Sequence, residues 1–196
     1  MAALRPPFRR ATPGDAHALA ELGDMAGDGL PLHLWSRIAE PGEDGWAVGR
    51  ERARQDVGSF SHLNAIVAEE AGRVVACLIG YQEPDDPAPI DYETMPPIFA
   101  PLQELENMAP GTWYVNVLAC YPAFRARGYG TRLLAVADAI AADAGAQGLS
   151  LIVSDANDNA RRLYERVGYC ETASRPMVKE DWPGPGENWV LMVKGV

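Results

Sequence analysis

The sequence has few of the residues that build disulfide frameworks and metal sites. Its three cysteines, Cys77, Cys120 and Cys170, are odd in number, far apart and without CxxC spacing, which argues against disulfides and against structural zinc. The three histidines show no HxE or HExxH spacing, so we predict no metal. Free thiols suit a reducing compartment, and we expect a cytoplasmic protein.

Long apolar runs and a basic surface are also missing. The run from residue 74 to 79 is too short to cross a bilayer, and residues 1–10 lack the apolar stretch of a secretion signal, so we expect a soluble chain with no membrane partner. Acidic residues outnumber basic ones by 27 to 17, giving a formal net charge of -10. Nucleic-acid binding depends on clustered Lys and Arg, so we predict no nucleic-acid partner. The same acidity favours a cationic small molecule.

The composition is that of one compact globular unit. Hydrophobic residues make up 47% and charged residues 22% of the 196, with no abrupt shift along the chain. We therefore predict a single domain over residues 1–196. Dense prolines mark residues 82–112 as an insertion or lid, in which residues 102–108 are the one segment able to form a helical turn or two.

Hydrophobic periodicity predicts strands and helices in an α/β (α+β) order. We expect a mixed, mainly antiparallel sheet of six to seven strands flanked by helices. The predicted strands are residues 8–11, 63–69, 73–81, 113–120, 149–153, 170–174 and 189–193. The predicted helices are one capped by Asp15 that carries Leu19 and Leu22, then residues 50–57, 131–144 and 160–167.

The most informative segment is a loop that joins a strand to a helix at residues 118–131. The helix carries an apolar stripe that includes Leu133, Leu134 and Ala137, so its N-terminus lies at Gly128 and Gly130. The first N–H groups of a helix have no intrahelical partner and its dipole is positive there, so an anion is stabilised. Glycine lets the backbone approach such an anion closely.

Two arginines, Arg125 and Arg127, add positive charge to that loop in an otherwise acidic chain. Other phosphate loops do not fit, because no Lys follows Gly130 as a Walker loop requires and Leu133 stands where a dinucleotide fingerprint needs a third Gly. The loop alone leaves two interpretations open: a pyrophosphate site, or a tight turn with a solvated arginine pair.

A second motif favours the first interpretation. The run Arg125-Ala126-Arg127-Gly128-Tyr129-Gly130 resembles the R/Q-x-x-G-x-G/A signature of the GNAT acyltransferase superfamily. Further on, Asn157-Asp158-Asn159-Ala160-Arg161-Arg162-Leu163-Tyr164, followed by Val167-Gly168-Tyr169, is similar to that family's N-x-x-A-x-x-L-Y...GF segment. The specific match covers about residues 113 to 170, and the order of elements before it agrees with the family in pattern only.

The resemblance implies that acetyl-CoA is the cosubstrate and assigns residues to it. The backbones of Leu118 and Cys120 would contact the pantetheine arm, and Asn157 would contact it, cap a helix, or do both. The pyrophosphate would meet the backbone N–H groups of Arg125, Ala126, Arg127, Gly128, Tyr129, Gly130 and Thr131. The reaction implied is direct attack of an amine on the thioester, with a Leu118 or Cys120 N–H as oxyanion donor.

Tyr164 matches the family's general acid, which protonates the departing thiolate. The competing interpretation is packing, since Ala160, Leu163, Tyr164 and Val167 form one helical stripe. Cys120 is better explained as a small strand residue than as a nucleophile. Some family members carry a glutamate base where this chain has Tyr114, so that base is not carried over; Glu83, Glu106 and a water chain stay open, each glutamate being an ordinary surface acid in the competing interpretation.

The acceptor is predicted only as an amine. Aromatic and acidic side chains in residues 27–62 and 82–112 suggest an amine with an apolar body; they are Trp35, Trp46, Phe60, Tyr92, Phe99, Asp85, Asp86, Asp91 and Glu93. A small molecule, a peptide N-terminus and a protein lysine all fit, and a homodimer is left open. The rival hypothesis is a non-catalytic acyl-CoA sensor, which keeps the coenzyme site without an evident base.

Overall fold

The computed structural model describes residues 4–195, which form two compact units. The amino-terminal unit contains residues 4–81 and 116–136, and the carboxy-terminal unit contains residues 82–115 and 137–195. The single domain over residues 1–196 stays a prediction, and its outermost residues, 1–3 and 196, lie outside the described part of the chain.

Three strands and three helices build most of the amino-terminal unit. The strands are β1 (Phe8–Arg10), β2 (Ala65–Glu70) and β3 (Arg73–Gln82), and the helices are α1 (Ala16–Ala26), α2 (Leu30–Ile38) and α3 (Gly45–Arg54). β2 pairs antiparallel with both β1 and β3. The predicted hairpin is confirmed: Ala71 and Gly72 have φ of 50° and 76°, as a mirror-image two-residue turn requires.

Two local predictions in this unit differ from the structure. Asp15 does not cap α1 with its side chain; its carboxylate accepts hydrogen bonds from the backbone N–H and hydroxyl of Thr12 and from Arg9, and so closes the short 3-10 turn before the helix. α3 begins at Gly45, not at residue 50, because Asp44 caps it by accepting from the N–H of Ala47 at 2.7 Å.

The carboxy-terminal unit holds the other helices and most of the other strands. They are α4 (Ala100–Glu106), the start of β4 (Trp113–Cys120), the second half of α5 (Tyr129–Ala144), β5 (Gly148–Ser154), α6 (Asp158–Arg166), β6 (Cys170–Pro176) and β7 (Asn188–Gly195). β4 pairs parallel with β5 from Trp113↔Leu149 to Val115↔Leu151, and β7 pairs antiparallel with β5 and β6. In the Pro-rich residues 82–112, the first helical turn begins only near residue 97. The role of this segment as a lid stays a prediction.

The strands form one mixed seven-stranded sheet in the order β1-β2-β3-β4-β5-β7-β6, flanked by six α-helices. The predicted fold class is thereby confirmed. β4 pairs with β5 in parallel, whereas the pairs β1–β2, β2–β3, β5–β7 and β6–β7 are antiparallel.

Candidate active site

The predicted coenzyme loop leaves β4 within the amino-terminal unit. Leu118 and Cys120 lie at the end of that strand, and the N–H of Tyr121 donates to the carbonyl of Val75 on β3 at 3.0 Å. The chain then makes a 3-10 turn at Pro122–Phe124 before α5 begins at Tyr129. The strand, turn and helix follow one another as the sequence predicts.

The backbone of the loop is left-handed at two residues just before α5. Ala126 and Gly128 both have positive φ, 59° and 80°, in the left-handed region. The first intrahelical hydrogen bond of α5 runs from the N–H of Arg132 to the carbonyl of Gly128 at 3.1 Å. The N–H groups of Tyr129, Gly130 and Thr131 therefore precede it, at the positive end of the helix dipole.

The two loop arginines are held by the loop itself. Arg125 donates through Nε to the carbonyl of Cys120 at 3.2 Å. Arg127 donates to the carbonyl of Ala123 at 3.1 Å, lies 4.9 Å above the ring of Phe124 and approaches Glu70 at 3.5 Å. Both side chains remain exposed, so their charges are presented to solvent while their positions are fixed.

Glu70 contacts the candidate loop, and the sequence analysis did not predict these contacts. Besides Arg127, its carboxylate accepts a hydrogen bond from the hydroxyl of Tyr129 at 3.1 Å, so one acid at the end of β2 fastens both sides of the loop. Glu70 precedes Arg127 and Tyr129 by more than 55 residues, so no local sequence pattern could indicate these contacts.

The Cys120 thiol is a poor nucleophile in this setting. Burial raises its pKa, against the opposing charges of Arg125 and Arg127, and the Sγ lies 3.6 Å from the carbonyl of Tyr121. Because the thiolate is the nucleophilic form, the raised pKa favours the packing interpretation of Cys120.

Asn157 and Tyr164 belong to α6 in the carboxy-terminal unit. Asn157 is the N-cap, since its Oδ1 accepts from the N–H of Ala160 at 3.2 Å. Tyr164 is buried, and burial raises the pKa of its phenol to about 12. Its ring lies 5.9 Å from that of Tyr169. Tyr164 thus belongs to the core stripe and is also a phenol whose pKa no neighbouring charge perturbs among the described residues.

Glu83 and Glu106 come together in the same unit, although their sequence suggested surface acids. Both are half-buried, and Glu106 also accepts a hydrogen bond from the hydroxyl of Tyr114 on β4. Burial and the charge of Glu83 raise the pKa of Glu106 to about 7, against the lowering effect of that hydrogen bond. Perturbed carboxyl groups of this kind are concentrated at functional sites.

The aromatic residues proposed for the acceptor fall into two groups. In the amino-terminal unit Trp35 is buried and packs against Trp46 and Phe60, with ring centroids 6.4 and 5.4 Å away, so these three build a core. In the carboxy-terminal unit Tyr92 and Phe99 are exposed. Asp85 bonds to Gln147 and Asp91 closes a local turn with Thr94, so both acids serve the loop itself.

Comparisons with known proteins decide the family. The sequence model of the acetyltransferase (GNAT) family matches residues 32–169, more than half of the chain. The chain belongs to the GNAT acetyltransferase family. It is therefore an acyltransferase enzyme, and the resemblance found in the two motifs is confirmed. A search of curated proteins found no sequence match.

Solved structures agree with this GNAT fold at low identity. A crystal structure of an acetyltransferase has a TM-score of 0.66 and 22% identity, covering 96% of this chain and 98% of that one. An N-acetyltransferase from Staphylococcus aureus Mu50 has a TM-score of 0.66 and 17% identity, covering 95% and 98%. Ard1 from Thermoplasma volcanium has a TM-score of 0.61 and 17% identity, covering 96% of each chain. At these identities the likeness concerns the fold.

The described residues include neither a membrane-spanning helix nor a metal-binding cluster. Within residues 4–195, no helix combines the length and the apolar character needed to span a bilayer. The same residues contain no group of three or more His, Cys, Asp or Glu side chains placed to hold a metal ion.

Proposed function

We propose that this GNAT enzyme transfers an acetyl group from acetyl-CoA to a primary amine by direct attack in a ternary complex. The observation that carries the proposal is the backbone of residues 125–131. Ala126 and Gly128, both left-handed, lead into the first turn of α5, whose N–H groups have no intrahelical acceptor. Such a cradle stabilises a pyrophosphate at a helix N-terminus. The backbones of Leu118 and Cys120 would hold the pantetheine arm, and Asn157 would contact it while capping α6.

In this proposal Tyr164 is the general acid. The neutral amine forms the new N–C bond while the C–S bond breaks; Tyr164 gives its proton to the leaving sulfur and regains one from the acylated nitrogen. Burial raises the pKa of this phenol to about 12, so the phenol stays protonated at neutral pH and has a proton to give. Burial of the departing thiolate would raise the pKa of its sulfur in the same direction, which favours the transfer.

The acceptor class rests on charge. A chain with a net charge of -10 attracts protonated amines, so a small-molecule or peptide amine suits it. The free cysteines 77, 120 and 170 suit the reducing cytoplasm that we propose as its compartment.

The test compares acetyl-CoA binding with turnover in wild type and Y164F. We expect calorimetric titration to give saturable binding of acetyl-CoA, but not of ATP or NAD, in both proteins. In a thiol-release assay over a panel of primary amines, Y164F should lose about 100-fold or more in kcat, because a general acid contributes about that factor.

Y169F is the matched control. Its hydroxyl is buried and has no hydrogen-bond partner among the described residues, and its ring touches that of Tyr164, so removal should leave kcat near wild type. If wild type binds no acetyl-CoA, the proposal fails. If Y164F keeps the wild-type rate, the role of Tyr164 fails and the coenzyme assignment survives.

A further inference from the structure

A protonated amine cannot attack a thioester, so the proposed reaction needs a group that removes one proton. The carboxy-terminal unit offers a convergent set for this step: Glu83 follows β3, Glu106 ends α4, and Tyr114 lies on β4, four residues before Leu118 on the same strand. Three separate segments thus bring these groups together, since Glu106 accepts a hydrogen bond from Tyr114 and is close enough to Glu83 for its charge to act on it.

The geometry points to Glu106 as the general base of this enzyme, with Tyr114 and Glu83 as the residues that position it and set its basicity. This inference rests on the proposed function. The hydroxyl of Tyr114 donates to the Glu106 carboxylate and so orients it from the strand. In the proposed step Glu106 takes a proton from the substrate ammonium, the neutral amine attacks, and Glu106 later releases that proton to water.

Glu83 has a separate role in the same set. Its backbone N–H is held by the carbonyl of Thr112 at 2.8 Å, which fixes it beside the start of β4. Its Oε1 is enclosed, and within residues 4–195 it has no hydrogen-bond partner. An enclosed carboxylate oxygen without a donor is costly to keep charged, and burial accordingly raises the pKa of Glu83.

No other charge in the elements packed on α4 competes for Glu106. α4 packs on β5, β6 and β7. The charged side chains of these strands each have a partner other than Glu106. Arg175 pairs with Glu104 of α4 itself at 2.6 Å, Glu171 pairs with Arg161 at 2.8 Å, and Lys194 pairs with Asp138 at 2.8 Å. Glu83 and Tyr114 are therefore the groups that decide when Glu106 is able to accept a proton.

The two neighbours shift the pKa of Glu106 in opposite directions, so removing each one should move the pH profile in a different direction. The charge of Glu83 raises the pKa of Glu106, and the hydrogen bond from Tyr114 lowers it. The acidic limb of the pH profile of kcat/KM reports an essential base in the free enzyme. E83Q should therefore move the acidic limb to lower pH, and Y114F should move it to higher pH. E106Q should lower kcat/KM about 100-fold and remove the acidic limb, so that kcat/KM no longer depends on pH in that range.

The control is D86N, which removes an exposed carboxylate from residues 82–112 and should leave the limb where it is in wild type. Ionisation of the substrate amine is the same for every variant, so it cancels in the comparison. The assignment of Glu106 as the base would be overturned if E83Q and Y114F shifted the limb in the same direction, or if E106Q left the limb unchanged. Acetyl-CoA binding and turnover by the wild type would still support the proposed function in that case. A wild type that binds no acetyl-CoA overturns both.

Discussion

Gly128 and Gly145 lie at opposite ends of α5 and share the same backbone requirement. Their φ angles are 80° and 70°, and a Cβ at either position would meet nothing within 4 Å. Alanine at either site therefore costs about 1 to 2 kcal/mol of folding free energy through left-handed strain, not through a clash.

Alanine variants of these two glycines test whether the loop geometry at Gly128 binds the coenzyme, because Gly145 lies at the other end of the same helix. We expect G128A to raise the KM for acetyl-CoA about fivefold or more, because relaxing about 1 kcal/mol of strain moves the N–H groups of the loop. G145A should lose similar stability in urea unfolding and keep the wild-type KM. Equal KM values in the two variants would show that the loop geometry does not bind the coenzyme.

The sequence left Glu83, Glu106 and a water chain open as the base, and residue identity alone could not choose among them. Tyr114 and Glu106 are eight positions apart, and nothing in either local pattern says that a phenol on a strand reaches the last residue of a short helix. The strand–turn–helix of the loop and the helix that carries Tyr164 were predictable because their signals are local, in glycines at a helix start and an apolar stripe at helical spacing. The role of Tyr164 as an acid came from the resemblance to the family and stays a prediction.

Asp155 connects two segments of the carboxy-terminal unit, the turn before α6 and the β6–β7 connection. Its carboxylate accepts from the N–H groups of Glu187 and Asn188 at 2.9 and 3.0 Å and from the Asn188 side chain at 2.8 Å. Gly186 permits this approach, because a Cβ there would lie 2.6 Å from the Asp155 Oδ1. The carboxylate therefore fastens the connection to the turn that holds Asn157.

Removing that carboxylate should have a pH-dependent effect on stability. Burial raises the pKa of Asp155, but the hydrogen bonds from Asn188, Glu187 and Ala156 outweigh it and lower the pKa overall. A carboxyl group with a lowered folded pKa stabilises above its unfolded value, about 3.9, and that contribution is lost as pH falls through the folded value.

We therefore expect D155N to lose about 1 to 3 kcal/mol in the free energy of unfolding at pH 7, with the difference from wild type shrinking below about pH 4. Urea denaturation at several pH values measures both. D86N, an exposed acid in residues 82–112, should differ little from wild type at any of them. A D155N deficit that stays constant down to pH 3 would contradict the charge-based explanation.

The element predictions failed where packing overrides propensity. α2 was not predicted, because Gly29 and Pro31 weaken a helical pattern; yet Trp35 of this helix is buried against α3. A Cβ at Gly49 would lie 2.4 Å from the Trp35 ring, so the glycines that lower the helix propensity of α3 are what allow the two helices to approach. Strand β4 was predicted to the residue, because a run of β-branched and aromatic residues carries its signal locally.

At the scale of the whole molecule, the charge of -10 acts oppositely on the two proposed substrates. Acetyl-CoA is an anion that approaches an acidic protein and must reach one loop with two arginines, whereas a protonated amine is attracted over the whole surface. Added salt screens both effects, since the Debye length falls from about 10 Å at 0.1 M to about 3 Å at 1 M.

We therefore expect the two substrates to differ in their salt dependence in one enzyme assay. As sodium chloride rises from about 0.05 to 0.5 M, kcat/KM for a cationic amine should fall, and kcat/KM for acetyl-CoA should fall less or rise. A neutral-bodied hydroxylamine acceptor, uncharged at the assay pH, is the control and should show little change. If the amine and acetyl-CoA respond alike, the acidity of the chain does not select the acceptor, and the argument for a cationic amine rests on Glu83 and Glu106 alone.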